Sequence, residues 1–390
     1  MRGKSFLLAY LANSCNVSLM SDSPPVDLTP KYRQVLDSLR KELASGRYRS
    51  GEKLPSEADL VKRFGASRIT IGRAMRELQN LDLIERRAGS GTYARQGKTS
   101  GLTFGLLIPN LGRTEIFEPI CQGMAAASQQ GQHALLWGHS SESSLRGEQA
   151  LELCRQYIER RVAGVFFAPL EFSDEDGPIN RQIAGELDQA RIPIVLLDRC
   201  YLPYPQRSNH DLVGVDNRRV GHLATAHLLK LGCKRIAFLA LPHSASTVEA
   251  RIAGYREALY FHGVPRDPNL VQKFDPTERE VVKVFVEREQ PEAFVCANDR
   301  TASSLMRTLL DLGYRIPGQI RIVGIDDLPF AGLLPVPLTT VHQPSREIGR
   351  VAMATMLDRL AHPALPTRDV LLASKIVVRD SCGAKPLGGQ

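Results

Sequence analysis

Four arginine and threonine side chains stand close together in ASRITIGRAMREL, residues 66–78, and their spacing decides what chemistry they can do. Ser67 can cap a helix in which Ile71, Ala74, Met75 and Leu78 recur at three- and four-residue intervals as a buried stripe. That register leaves Arg68, Thr70, Arg73 and Arg76 facing outward. Guanidinium groups on such a face either lie solvated or pair with phosphates and with the O6 and N7 acceptors of guanine. A second set of polar residues closes apolar runs farther along: Asp198 ends PIVLLD, Asn298 and Asp299 end AFVCAND, and Asp326 and Asp327 end IRIVGIDD. At the end of a strand such groups cap the next helix or accept hydrogen bonds from a small ligand. Asp299 is expected to be a cap, whereas recurrence at three strand ends favours a shared cleft. Arg251, near the start of a helical stretch, offers a planar two-pronged donor to adjacent hydroxyls or a carboxylate.

The charge distribution separates these two sets. The formal net charge is +8, and residues 28–97 hold 15 Lys and Arg against 8 Asp and Glu, a net of +7. This is the electrostatic footprint of a nucleic-acid-binding module joined to a nearly neutral partner. The 7 cysteines are scattered and never spaced as CxxC, the usage of a reducing compartment. HExxH, GxxxxGK[ST] and His/Cys clusters at metal spacing are absent from the sequence, so no metal, no cofactor and no enzyme activity are expected. An enzymatic cleft would need a general base, for which His139, His210, His243 and His342 are candidates among the 9 histidines.

The elements around residues 66–78 are legible in the same way. Thr29 with Pro30 starts a first amphipathic helix carrying Tyr32, Val35, Leu36, Leu39 and Leu43, and Gly46 ends it. After a turn, GRYRSGEKLP, Ser56 and Asp59 form a capping-box-like start to a short helix that Gly65 stops. Helix, tight turn and helix with basic residues at the start of the second is helix-turn-helix geometry. LIERRAGSGTYA then predicts two short strands joined through Ala88, Gly89, Ser90 and Gly91, a wing whose Arg86 or Arg87 can approach phosphates or the minor groove.

LPSEADLVKRFGASRITIGRAMRELQNLDLIERRAGSGTYA resembles the winged helix-turn-helix of GntR-type bacterial regulators, over residues 30–95. The resemblance implies DNA contacts at Arg68, Thr70 and Gly89. The chain departs from the family pattern at Ala58 and at Gly72-Arg73, where Arg, and Arg followed by Glu, are common; Arg73 is expected to supply the missing phosphate contact. The expected DNA-facing set is Ser56, Ser67, Arg68, Thr70, Arg73, Arg76, Arg87, Gly89, Ser90 and Gly91.

Beyond the polar stretch RQGKTSG (95–101), apolar runs alternate with helical patterns: FGLLIP, ALLWGH, GVFFAPL, IPIVLLD, LVGVD, RIAFLA, AFVCAND and IRIVGIDD. Such alternation predicts an α/β fold of parallel, doubly wound sheets covered by helices on both faces. The expected organisation is an extension at 1–27, a winged helix-turn-helix at 28–97, a linker at 98–102, a two-subdomain unit at 103–382 and a tail at 383–390. Its first subdomain would take about 103–212 and 343–369, and its second about 213–342 and 370–382.

HLLKLGCKRIAFLA, EARIAGYREAL, FVCANDRTASSLMRTLLDLGYRIP, IRIVGIDD and PLTTVHQP resemble the effector domain of LacI/GalR-type repressors, which has the periplasmic-binding-protein fold. The resemblance implies ligand contacts at Asp198, Arg251, Asn298 and Asp326, in a cleft between subdomains that the chain crosses three times, suited to a small sugar or polyol. The loop PNLGRTEIFEPI adds Phe117, as a stacking platform or as core. Ala168-Pro169 stands where many relatives carry a polar residue. A GntR-type reader on a LacI-type sensor is the arrangement of AraR-type repressors.

These features lead to the expectation of a cytoplasmic transcription regulator, most simply a repressor. It would act as a homodimer on a double-stranded operator, respond to a small sugar-like effector and need no membrane. Coupling would run through residues 95–103. The short apolar run Phe6–Ala12 resembles a weak secretory signal, which supports the alternative of an exported solute-binding receptor; a start at Met20 or an unfolded extension accounts for it more simply.

Overall fold

The computed structural model describes residues 30–44, 47–48, 51–80, 83–87, 89–94, 101–108, 116–138, 146–171 and 176–384. It divides into two units, Met1–Lys98 and Thr99–Gln390. Thr29, Gly46, Ala88, the extension 1–27, most of the expected linker, the loop 109–115 and residues 385–390 lie outside the described residues.

In the first unit, α1 (Lys31–Ala44), α2 (Glu57–Phe64) and α3 (Arg68–Asn80) precede a hairpin of β1 (Ile84–Arg87) and β2 (Gly91–Ala94). The expected apolar stripe is the core: Val35, Leu39 and Leu60 pack with Ile71, Ala74, Met75 and Leu78, all essentially inaccessible to solvent. Gly65 ends α2 at φ 56°, a left-handed conformation that glycine adopts without cost, so α3 can begin three residues later. Residues 51–54, expected to be part of a turn, instead run along β2. Gly51 N–H donates to Ala94 O, Ala94 N–H to Glu52 O and Leu54 N–H to Thr92 O, each at 2.8 Å.

The second unit holds two six-stranded sheets. The first comprises β3 (Thr103–Leu107), β4 (Ala134–Trp137), β5 (Gly164–Phe167), β6 (Ile194–Leu197), β7 (Asp211–Val215) and β13 (Asp369–Leu372), in the order β4-β3-β5-β6-β7-β13 and parallel throughout. The second comprises β8 (Ile236–Ala240), β9 (Val271–Lys273), β10 (Ala293–Cys296), β11 (Arg321–Asp326), β12 (Thr339–His342) and β14 (Lys375–Val377), ordered β9-β8-β10-β11-β12-β14. Only the β12–β14 pair is antiparallel. The helices are α4 (Phe117–Gln130), α5 (Arg146–Glu159), α6 (Asp176–Gln189), α7 (Asn217–Lys230), α8 (Ser246–Phe261), α9 (Arg279–Glu289), α10 (Asp299–Asp311) and α11 (Ser345–Ala361).

The expected subdomain boundaries move by a few residues. A division at 212/213 would cut β7, which pairs over Leu212–Val215 with β13 and over Asp211–Val213 with β6, and one at 369/370 would cut β13. The chain therefore changes sheet between β7 and α7, between β12 and α11, and between β13 and β14.

Candidate DNA-binding surface and effector cleft

On the first unit, two of the three serines in the expected DNA-facing set, Ser56 and Ser67, hold helix ends. Ser56 Oγ accepts the Asp59 N–H at 3.2 Å while the Asp59 carboxylate accepts the Ser56 N–H at 3.2 Å, a reciprocal capping box. The Ser56 hydroxyl, which donates to the Asp59 carboxylate at 2.6 Å, and then the Ser56 N–H hold that carboxyl below the usual carboxylate range. Ser67 Oγ accepts the Thr70 N–H at 3.2 Å and is bonded to Thr70 Oγ1 at 2.8 Å, which fixes the first turn of α3. Arg68, Arg73 and Arg76 are exposed and Thr70 is half-buried. Arg73 is not wholly available, because its guanidinium lies 4.0 Å from the centroid of the Tyr32 ring on α1. This cation–π contact orients the side chain against its own domain.

In the wing, Gly89 and Gly91 take φ of 70° and 124°, which lets Arg87 and Gly91 pair across three residues. Ser90 Oγ bonds the Tyr93 hydroxyl at 2.5 Å. Arg86 is ion-paired with Glu57 at the start of α2. Arg87 stacks on Tyr93, 4.6 Å from the ring centroid, with Glu85 at 3.6 Å. The sequence reading missed Lys53, an exposed cation whose Cε would lie 2.6 Å from any Cβ on Gly91. It stands on the segment taken for a turn, and a single basic residue in a turn carries no positional signal.

In the second unit, the polar residues ending β6 and β11 converge, from opposite subdomains. Asp198 follows β6 at φ 69° and is buried; its Oδ2 accepts from Arg199 NH1 at 3.1 Å, and its Oδ1 has no protein partner. Arg199, also buried, donates from Nε to Pro169 O at 3.0 Å and lies 5.9 Å from the Phe117 ring. Phe117 is 2% exposed within the main core, so the core alternative describes it, with Arg199 against its face.

From the second subdomain, Arg251 is buried on α8. It donates to Asn217 Oδ1 at 2.8 Å and to Ala297 O at 2.6 Å, with NH2 3.9 Å from Asp326 Oδ1. Asp326, at φ 123°, accepts from Gln343 Nε2 at 2.5 Å. Burial pushes the Asp326 carboxyl up to about 8; Arg251 opposes the rise, and the charges of Asp299 and Asp198 add to it. Gln343 Oε1 is buried without a protein partner. Two unpaired buried acceptors therefore sit on groups that close the two sheets, and donors from a hydroxyl-bearing ligand would satisfy both.

The capping role expected of Asp299 falls to its neighbour Asn298. Asn298 caps α10, its Oδ1 accepting the Thr301 N–H at 2.8 Å, which leaves its amide nitrogen for a ligand. Asp299 is the first residue of α10 and fully buried. It accepts from Leu328 N–H at 2.9 Å and Thr340 Oγ1 at 2.6 Å. Burial pushes its carboxyl up to about 6 despite those bonds. Of the histidines, His342 bonds Asp327 at 2.9 Å and His210 lies 3.6 Å from Asp188; His139 is outside the described residues.

Close helix crossings hold Arg251 in place. A Cβ on Gly221 of α7 would come within 1.9 Å of Arg251 O, and one on Gly254 of α8 within 1.8 Å of Arg218 O. Only glycine permits that backbone approach. Sequence reasoning missed Arg199, Asn217 and Gln343. Arg199 was in view, directly after Asp198, whereas Gln343 follows a strand that carried no apolar run.

Residues 31–94 match the bacterial regulatory proteins of the gntR family, and residues 225–382 match the periplasmic binding protein-like domain. An arabinose metabolism transcriptional repressor of Geobacillus stearothermophilus is 27% identical over 365 residues, covering 90% of this chain and 97% of its own. A ribose operon repressor of Halalkalibacterium halodurans is 28% identical, over 73% of this chain and 80% of its own. Among solved structures, the complex of a transcriptional regulator, CelR, with cellobiose superposes with a TM-score of 0.62 at 24% identity, covering 81% of this chain and 91% of that one, a likeness of fold. The chain thus joins a gntR-family winged helix-turn-helix to a LacI-type, periplasmic-binding-protein-like domain, in the arrangement of the AraR-type repressors.

Proposed function

We infer that the protein is a cytoplasmic transcription repressor and not an enzyme. As a homodimer it binds a pseudo-palindromic operator through α3 and the wing, and a small polyhydroxylated effector changes its operator affinity. The observation that carries the effector half is the unpaired Asp198 Oδ1, a buried acceptor in a cleft that also holds Arg251, Asp326 and the free amide nitrogen of Asn298. Leaving such an oxygen unpaired costs about 1–3 kcal/mol, which a ligand hydroxyl recovers on binding. Pentoses are the first class to test, because the relatives are named for arabinose and ribose. Among the described residues no helix is long and apolar enough to cross a membrane.

Two-fold symmetry brings paired recognition helices to successive major grooves, about one helical turn apart. An effector that favours one state of the cleft shifts the operator-binding equilibrium only by its differential affinity for the two states. The test is a thermal-shift screen of pentoses, hexoses and their acids, followed by operator titrations at fixed salt with each hit. A sugar that binds the full chain and leaves operator affinity unchanged refutes the coupling.

A further inference from the structure

We propose that Ile69, on the outward face of α3, reads a thymine C5-methyl group in the major groove beside the base contacted by Arg68. The inference rests on the DNA-binding function proposed above and adds a specificity determinant to it. Ile69 is 81% exposed and is the one large exposed apolar side chain among the described residues 30–94. A core-forming sequence has no reason to place a β-branched apolar residue there: isoleucine gains nothing for the helix over alanine, and solvent leaves its surface unburied.

The neighbours on the same face are Gly72, Arg73 and Arg76, at i+3, i+4 and i+7. A Cβ at Gly72 would meet no atom within 4 Å, so no packing inside the domain requires that glycine. Its effect is to bare the helix backbone next to Ile69. Arg73 is drawn onto the Tyr32 ring, and Arg76 remains exposed. The result is an apolar spot on a positively charged module, next to the arginine best placed for a base edge. A polyanion with an apolar group on its groove floor matches that surface, and thymine is the standard base that presents a methyl group there.

The test uses the full-length chain. Bound sequences are selected from randomised duplexes with wild type and with Ile69→Ala, and thymine in the preferred half-site is then replaced by deoxyuridine, which lacks only the methyl. For wild type, affinity should fall about fourfold at one position, the worth of one methyl-sized group taken out of water. For Ile69→Ala, thymine and deoxyuridine there should bind equally, with the thermal midpoint unchanged. A selected operator on which wild type never distinguishes the two bases overturns the methyl contact and leaves DNA binding standing. So does Ile69→Ala that keeps the discrimination, or that changes only self-association. Failure to select any sequence overturns the DNA-binding function and this inference together.

Discussion

Asp326 should make the second unit less stable as pH rises from 6 to 8, and Asp326→Asn should abolish that loss. Burial lifts the folded-state carboxyl from 3.8 to about 8, so the folded chain keeps a proton that the unfolded chain has already shed. A raised carboxyl stabilises the fold below the unfolded value, and that stability is lost as pH climbs through the folded one. From pH 6, where about 1 in 100 of the folded carboxyls is ionised, to pH 8, where half are, linkage gives a loss of about 2 kcal/mol. Asparagine keeps the shape and an oxygen for the Gln343 amide, whose bond is 2.5 Å in wild type, and it cannot ionise. His210 and His227, both pushed down by burial, titrate in wild type and variant alike and cancel in the difference. Thermal unfolding at pH 6, 7 and 8 should show the wild-type midpoint falling by on the order of 4 °C more than that of the variant. Equal pH slopes would refute a buried, proton-holding Asp326. Effector affinity should run the other way: a sugar hydroxyl that donates to the ionised carboxylate must displace the proton, so binding tightens towards pH 8.

Arg68→Ala is expected to cost about 1–3 kcal/mol of operator binding and to relax preference at one base pair, whereas Arg76→Ala should weaken all sequences alike and lower the salt slope by about one; equal losses for Arg68→Ala on operator and random DNA would make Arg68 a phosphate contact. Gly72→Ala, which meets nothing within 4 Å, should stabilise the winged domain by about 1 kcal/mol as read by thermal unfolding. Gly254→Ala drives a methyl against Arg218 O and should cost about 1–3 kcal/mol. It should also weaken effector binding, because α8 carries Arg251; unchanged stability would show that the crossing has room the static distances deny.

The elements legible in the sequence were those whose burial is apolar. β5, β6, β8 and β10 are buried along their whole lengths, and such strands read as unbroken apolar runs. β12 is buried over Thr339–Val341 but carries Thr339 and Thr340, whose hydroxyls donate to Arg379 O at 2.9 Å and to Asp299 at 2.6 Å. Its interior is satisfied by hydrogen bonds, so hydrophobic patterning passed over it; the segment entered only through the resemblance of PLTTVHQP, and Gln343 at its end was given no role. Asp198 and Asp326 were found because they close visible runs. Which of Asn298 and Asp299 caps α10 depends on one residue's backbone dihedrals, which composition does not encode.

The helix glycines carry information that local propensity inverts. Within a helical stretch glycine counts against the helix, yet Gly221 and Gly254 let α7 cross α8, and Gly123 and Gly349 let α4 cross α11. In each sheet the strand order is the same: first strand flanked by the second, then the third, fourth and fifth, then a strand from the chain's last crossing. The two subdomains therefore repeat one design, a glycine-mediated helix pair against a sheet whose first five strands are parallel. They also differ near the cleft: α8 carries Arg251 towards it, and α11 begins two residues after Gln343, at the crossing from one sheet to the other. A ligand that satisfies Asp198 Oδ1 on one side and Gln343 Oε1 on the other must engage both halves of that repeat, so its binding energy acts on their relative position.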